Sequence, residues 1–228
     1  MSLFAIADTH LSFGSNKPMD DFEGWLNYTD RLKENWNKII DDKDYVVIAG
    51  DISWAMNFDE LKADFEYINQ LNGKKIILKG NHDYWWNTMS KMNKFIEENN
   101  FNTISILHNN AFDFDDFSVC GSRGWFFDSD EEQNEKVLNR EVMRIKASIE
   151  SALNCEKIVF LHYPPVYENQ CCEEIVSLLK EKGIKKCYYG HIHGVAAKYA
   201  FDDNYDGIDF KLISADRLNF MPLLIKKF

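Results

Sequence analysis

The chain is poor in proline, in paired cysteines, in basic charge and in long apolar runs, and each shortage excludes something. Four prolines are scattered through 228 residues, only Pro164-Pro165 being adjacent, so no Pro/Gly/Ser-rich linker or low-complexity tract divides it. The five cysteines, Cys120, Cys155, Cys171, Cys172 and Cys187, are odd in number and contain no Cys-x-x-Cys. That argues against a disulfide scaffold or a zinc–thiolate site and suits a reducing cytoplasm. Lys and Arg total 26 against 37 Asp and Glu, a formal net charge of -11. A surface of that sign is a poor match for a nucleic-acid backbone. It does not exclude phosphate chemistry, because bound metal ions reverse the local sign. No apolar run approaches the roughly 18 residues of a membrane span. The opening "MSLFAIADTH" has neither a basic region nor a cleavage site, so it does not read as a signal peptide. The expectation is a cytoplasmic protein with no membrane association.

What is present is alternation. Apolar strand-like runs fall at 3–7, 45–49, 75–78, 117–120, 157–161 and 186–189, and helical patterns at 25–40, 58–71, 89–98, 131–153 and 173–182. Strands alternating with helices predict an α/β protein. After Val195 the pattern changes to short strand-like pieces at 196–201, 210–214 and 223–225 with no helix between them. These predict a mostly antiparallel closing sheet, hence two packed sheets flanked by helices.

The residues that end the strands carry the chemistry. The first run leads into Asp8-Thr9-His10, the second into Gly50-Asp51, the third into Gly80-Asn81-His82-Asp83, and two later ones into His162 and Gly190-His191-Ile192-His193-Gly194. Of six histidines, only His108 lies elsewhere. Open α/β sheets build sites at the carboxyl ends of their strands, and imidazole and carboxylate together are donors for zinc, iron and manganese. A single His or Asp at a strand end is ordinarily a loop or capping residue. Five such ends in one chain point instead to a shared metal-ligating rim.

In this order Asp8-x-His10, Gly50-Asp51, Gly80-Asn81-His82-Asp83, His162 and Gly190-His191-x-His193 resemble the five signature blocks of the calcineurin-like metallophosphoesterase superfamily. The resemblance implies one domain over 1–228 with a four-layer α/β/β/α sandwich of two mixed sheets. It implies two divalent metal ions, manganese, iron or zinc, one on Asp8, His10 and His193, the other on Asn81, His162 and His191, with Asp51 bridging. It further implies in-line hydrolysis of a small phosphate ester by a water that both metals activate. By the same resemblance His82 is expected to face the substrate phosphate and leaving oxygen, and Asp83 to brace the turn.

One departure narrows the reading. Protein phosphatases of the superfamily carry Asp-Arg after the second block, whereas Trp54 and Ala55 stand here. A phosphoprotein substrate is therefore disfavoured, and the partner that orients His82 is open. Arg123, in "CGSRGW", is a candidate for the missing phosphate-binding cation, or else a turn residue between two glycines. Trp54, Trp85, Trp86 and Trp125 all follow motif blocks; core packing and stacking on a base or sugar both fit them. The expected partner is a small or nucleotide-like phosphate ester, with a nuclease and a non-catalytic metal-binding scaffold as alternatives.

Overall fold

A computed structural model of the protein describes residues 1–125 and 135–228. Positions 131–134 of the expected helix 131–153 lie outside the described residues. The chain begins β1 (Ser2–Ile6), α1 (Tyr28–Ile39), β2 (Tyr45–Ala49), α2 (Phe58–Gln70), β3 (Lys74–Leu78), α3 (Met89–Glu98) and β4 (Ile104–Ile106). It continues with β5 (Phe112–Asp113), β6 (Phe117–Ser122), α4 (Glu135–Ser151) and β7 (Glu156–Leu161). A short hairpin, β8 (Val166–Tyr167) and β9 (Gln170–Cys171), precedes α5 (Glu173–Glu181) and β10 (Lys186–Tyr189). A 3₁₀ segment (Gly194–Tyr199), β11 (Asn204–Tyr205), β12 (Ile208–Leu212) and β13 (Leu223–Lys227) follow.

One sheet has the order β13-β1-β2-β3-β4, the other β11-β12-β10-β7-β6-β5. Strand periodicity explains the layering. Successive side chains point to opposite faces, so Leu3, Ala5, Val47, Ala49 and Ile76 face the second sheet and meet Phe117, Val119, Ile158 and Phe160. Their neighbours Phe4, Ile6, Val46, Ile48 and Ile77 face outward onto Leu32 and Trp36 of α1 and Leu61, Phe65 and Ile68 of α2. On the far side Val159, Leu161, Cys187 and Tyr189 pack against α4 and α5 through Ile145, Ile149, Ile175 and Leu179. The result is the α/β/β/α sandwich. Strands buried on both faces read as continuous apolar runs, which is why they stand out in the sequence. Each large apolar side chain fully buried here contributes about 1.5–3 kcal/mol.

The closing segment differs from the expectation. Positions 196–201 are not a strand: most of them lie in the 3₁₀ turn, none of whose residues is buried, so no sheet face holds this stretch extended. The antiparallel closing sheet does not form either. β12 instead joins the second sheet parallel to β10, while β13 crosses to the edge of the first, antiparallel to β1. The β11–β12 turn holds Asp206 and Gly207, both at positive φ, 52° and 83°, the Asp-Gly geometry of a tight hairpin. That hairpin returns the chain to the β10 edge.

Candidate metal centre

Parallel pairing sets the strand ends level. Ile6 pairs with Ile48 and Ala49 with Leu78 in the first sheet; Ser122 pairs with Leu161 and Leu161 with Tyr189 in the second. The polar residues that follow emerge together, and backbone hydrogen bonds tie their loops. Asp8 N donates to Gly50 O (3.0 Å), His10 N to Asp51 O (2.9 Å) and Gly190 N to His162 O (3.0 Å).

These loops are strained. Asp8, His10, Asp51 and His191 all have left-handed backbone, φ 56°, 43°, 49° and 71°, which costs roughly 1 kcal/mol or more at each non-glycine position. Two glycines permit the approach of the loops. A Cβ at Gly80 would overlap the backbone and carboxylate of Asp51, and one at Gly190 would lie 2.7 Å from Asp8 Oδ2.

All seven residues expected to ligate metal are brought to this rim. Donor atoms of Asp8, His10 and Asp51 lie within 4.8 Å of one another, as do those of Asp51, His162 and His191. Asp51 belongs to both groups. Asn81 Oδ1 lies 2.6 Å from His162 Nε2 and 3.0 Å from His191 Nδ1. The His193 ring stands 5.3 Å from that of His10.

The electrostatics test whether cations fit. Burial pushes the Asp8 carboxyl up to about 8. Asp51 is raised well above the ordinary carboxylate range, by burial first and then by the nearby Asp83 and Asp8. Burial, reinforced by neighbouring imidazoles, holds His10 and His162 well below the ordinary histidine range. The histidines therefore present neutral nitrogens, while the carboxylates lack compensating positive charge. Both ring nitrogens of His10 are buried without a hydrogen-bond partner among the described residues, an arrangement that ordinarily costs stability. Carboxylate oxygens and neutral imidazoles are hard-to-borderline donors suited to divalent cations. The residues fit divalent metal, and Asp51 belongs to both groups that could hold an ion.

His82 lies at the edge of this cluster, its N–H donating to Asp51 Oδ1 (2.8 Å). Its ring packs against Trp54 (4.5 Å between centroids), and its Nδ1 lies 3.2 Å from the Tyr84 hydroxyl. Asp83 turns inward. It is fully buried and accepts hydrogen bonds from the backbone N–H of Gly80 (2.7 Å), Ile52 (2.8 Å) and Ser53 (3.3 Å). Its carboxylate thus joins the loop after β3 to the loop after β2. Arg123 O accepts from His162 N (3.1 Å) and Tyr163 N (2.9 Å). Its guanidinium lies 5.6 Å from the Tyr163 ring, which in turn stands 4.6 Å from His191. Of the four tryptophans singled out, Trp85 and Trp125 are core residues and Trp54 and Trp86 pack against the core, Trp54 also stacking on His10 at 4.8 Å and 19°.

Two supporting residues escape the reading of motifs. Asp64 on α2 is fully buried, accepting from Phe13 N (2.7 Å) and from the Ser53 hydroxyl. It links the loop after His10 to the loop after Asp51. Its sequence signal is a carboxylate on the apolar stripe of α2, among Leu61, Phe65 and Ile68. Tyr28 donates its hydroxyl to His10 O (2.7 Å), and no local pattern marks it.

An α/β/β/α sandwich that gathers carboxylates and imidazoles into two donor groups at its strand ends has the architecture of a metallophosphoesterase. The calcineurin-like phosphoesterase family matches residues 1–195, and the chain belongs to that family. An uncharacterized protein of Methanocaldococcus jannaschii is 34% identical over 86 residues, 36% of this chain and 46% of that protein. The matched region is thus under half the length of this relative. Among solved structures, a phosphopantetheinyl hydrolase from Mycobacterium tuberculosis is similar with a TM-score of 0.57 and 13% identity, covering 100% of this chain and 96% of that one. A protein of unknown function from Aquifex aeolicus has a TM-score of 0.52 and 15% identity, covering 98% of this chain and 95% of that one. At such identities these likenesses are of fold.

Proposed function

We propose that the protein is a dinuclear, metal-dependent hydrolase of phosphate esters, acting on a phosphodiester or phosphomonoester of a small or nucleotide-like substrate. The observation that carries this reading is Asp51: one buried carboxylate common to two donor groups, with the His82 backbone N–H bonded to it. When bound, two divalent cations supply Lewis acidity and lower the pKa of an attacking water from about 15.7 toward neutrality.

The chain supplies position. Asp8, His10, Asp51 and His193 would hold one cation, and Asp51, Asn81, His162 and His191 the other. Asp83 fixes the turn from which His82 reaches the substrate. His82 donates to the phosphate or to the leaving oxygen as charge develops there. Arg123, which reaches His191 through the Tyr163 ring, is a candidate for a further phosphate contact. The in-line geometry needs no serine or cysteine nucleophile. The net charge of -11 disfavours long polyanions, so a nucleic acid is not the proposed substrate. The odd number of cysteines without a Cys-x-x-Cys supports a reducing compartment, and we propose the cytoplasm as the site of the reaction. The likeness to the phosphopantetheinyl hydrolase brings no substrate with it.

The test is hydrolysis of a generic phosphodiester and the matching monoester, side by side with manganese, with chelated protein and His82→Ala as controls. Chelation-sensitive cleavage of either ester supports the proposal, and the preferred ester directs the substrate search. Two bound metals with neither ester cleaved would contradict it.

A further inference from the structure

Without the Asp-Arg pair after Asp51, other groups hold the ring of His82. Trp54 lies against it at 4.5 Å and 45°. Tyr84 meets it edge-on, 5.9 Å between centroids at 76°, and places its hydroxyl 3.2 Å from Nδ1. The backbone makes this approach local. Tyr84 N donates to His82 O (2.8 Å), closing a three-residue turn. Asp83 at the apex of that turn is anchored by the N–H groups of Gly80, Ile52 and Ser53. The Tyr84 backbone is thus held beside His82 by a turn that three hydrogen bonds to Asp83 anchor. Nor does core packing account for the residue, because Tyr84 is 52% exposed. A half-exposed tyrosine whose hydroxyl is directed at a ring nitrogen acts as a hydrogen-bonding group rather than as packing.

We propose that Tyr84 is a positioning residue for His82. Its hydroxyl bonds Nδ1 and, with Trp54 beside the ring, sets the orientation in which Nε2 is presented to the substrate. A phenol can donate or accept, so it fixes the ring without adding a carboxylate to a site already crowded with them. This rests on the proposed role of His82, and the test separates the two.

The experiment compares Tyr84→Phe, His82→Ala and the double variant on the better of the two test esters, each loaded with manganese. Tyr84→Phe lowers kcat about five- to tenfold, the scale of one hydrogen bond, with KM changed by less than about twofold. His82→Ala lowers kcat further, and adding Tyr84→Phe to it changes nothing more. In metal-free protein, Tyr84→Phe moves the His82 ring nitrogen resonances, and manganese stoichiometry stays that of the unaltered chain. Wild-type kcat in Tyr84→Phe beside a crippled His82→Ala overturns the inference and leaves the role of His82 standing. An active His82→Ala overturns the reading beneath it. Equal losses from Tyr84→Phe in both backgrounds assign Tyr84 a structural role only and contradict the proposal.

Discussion

His10 and His162 are both fully buried, yet they are held in different ways. His162 is placed by a hydrogen bond: Nδ1 lies 3.1 Å from Ala49 O, which as acceptor takes the single N–H of the neutral ring and leaves Nε2, 2.6 Å from Asn81 Oδ1, as the free donor nitrogen for a cation. His10 is placed by packing, stacked on Trp54 at 4.8 Å, with Trp25 at 5.9 Å and His193 at 5.3 Å. Its ring nitrogens find no hydrogen-bond partner among the described residues. One half of the centre therefore has a ligand ring oriented by a backbone hydrogen bond that needs no cation. The other half relies on an aromatic wall and leaves buried polar atoms that a cation would satisfy. The energetic cost of an empty centre should fall mainly on the His10 half.

Several measurements break or sharpen this contrast. The largest effect should come from Asp64→Ala, which strips the acceptor from the Ser53 hydroxyl and the Phe13 N–H. Leaving those donors buried costs about 3 kcal/mol, read as a lower denaturation midpoint at unchanged slope. Asp64→Asn should cost less, because it keeps an acceptor. Next, Trp54→Ala removes the wall behind His10. It should weaken one manganese equivalent by about 10–100-fold and leave the other unchanged in calorimetric titration. A uniform loss at both sites would erase the distinction between the halves.

Chelation and pH give the third test. The Asp8 carboxyl is carried from 3.8 up to about 8 by burial. Between those values the metal-free folded state keeps a proton that the unfolded chain has released, so stability falls as pH rises. Bound cations keep Asp8 ionised and cancel that slope. The gap in Tm between manganese-loaded and chelated protein should therefore widen from mildly acidic pH toward about 8. A gap independent of pH would show that Asp8 does not feel the cation. The smallest effect belongs to Tyr28→Phe, which removes the hydroxyl on His10 O. It should cost about 1 kcal/mol and weaken only the equivalent that Trp54→Ala weakens.

What could be read in the sequence follows from the same physics. Strands buried on both faces make apolar runs, and polar residues ending such runs advertise a rim, so Asp8, His10, Asp51, Asn81, His162, His191 and His193 were visible as one set. The unread part acts across distance. Asp64 reaches Phe13 over 51 residues and Tyr28 reaches His10 over 18, and no local periodicity encodes either contact. The strand-like piece at 210–214 overlaps β12 (Ile208–Leu212) only in part, and its parallel docking on β10 was not visible, since pairing partners are set by tertiary packing. The Asp206-Gly207 turn was a readable hairpin signal. The edge strands β4, β5, β8 and β9 have two or three residues each, too few to show a period.

The central claim is that Asp51 is shared between two cation sites. Calorimetric titration of chelated protein with manganese, in parallel with Asp51→Ala, tests it most directly. The account predicts two equivalents for the unaltered chain and a loss of affinity for both in Asp51→Ala. A single equivalent, or an Asp51→Ala variant that loses one and keeps the other at full strength, would contradict it.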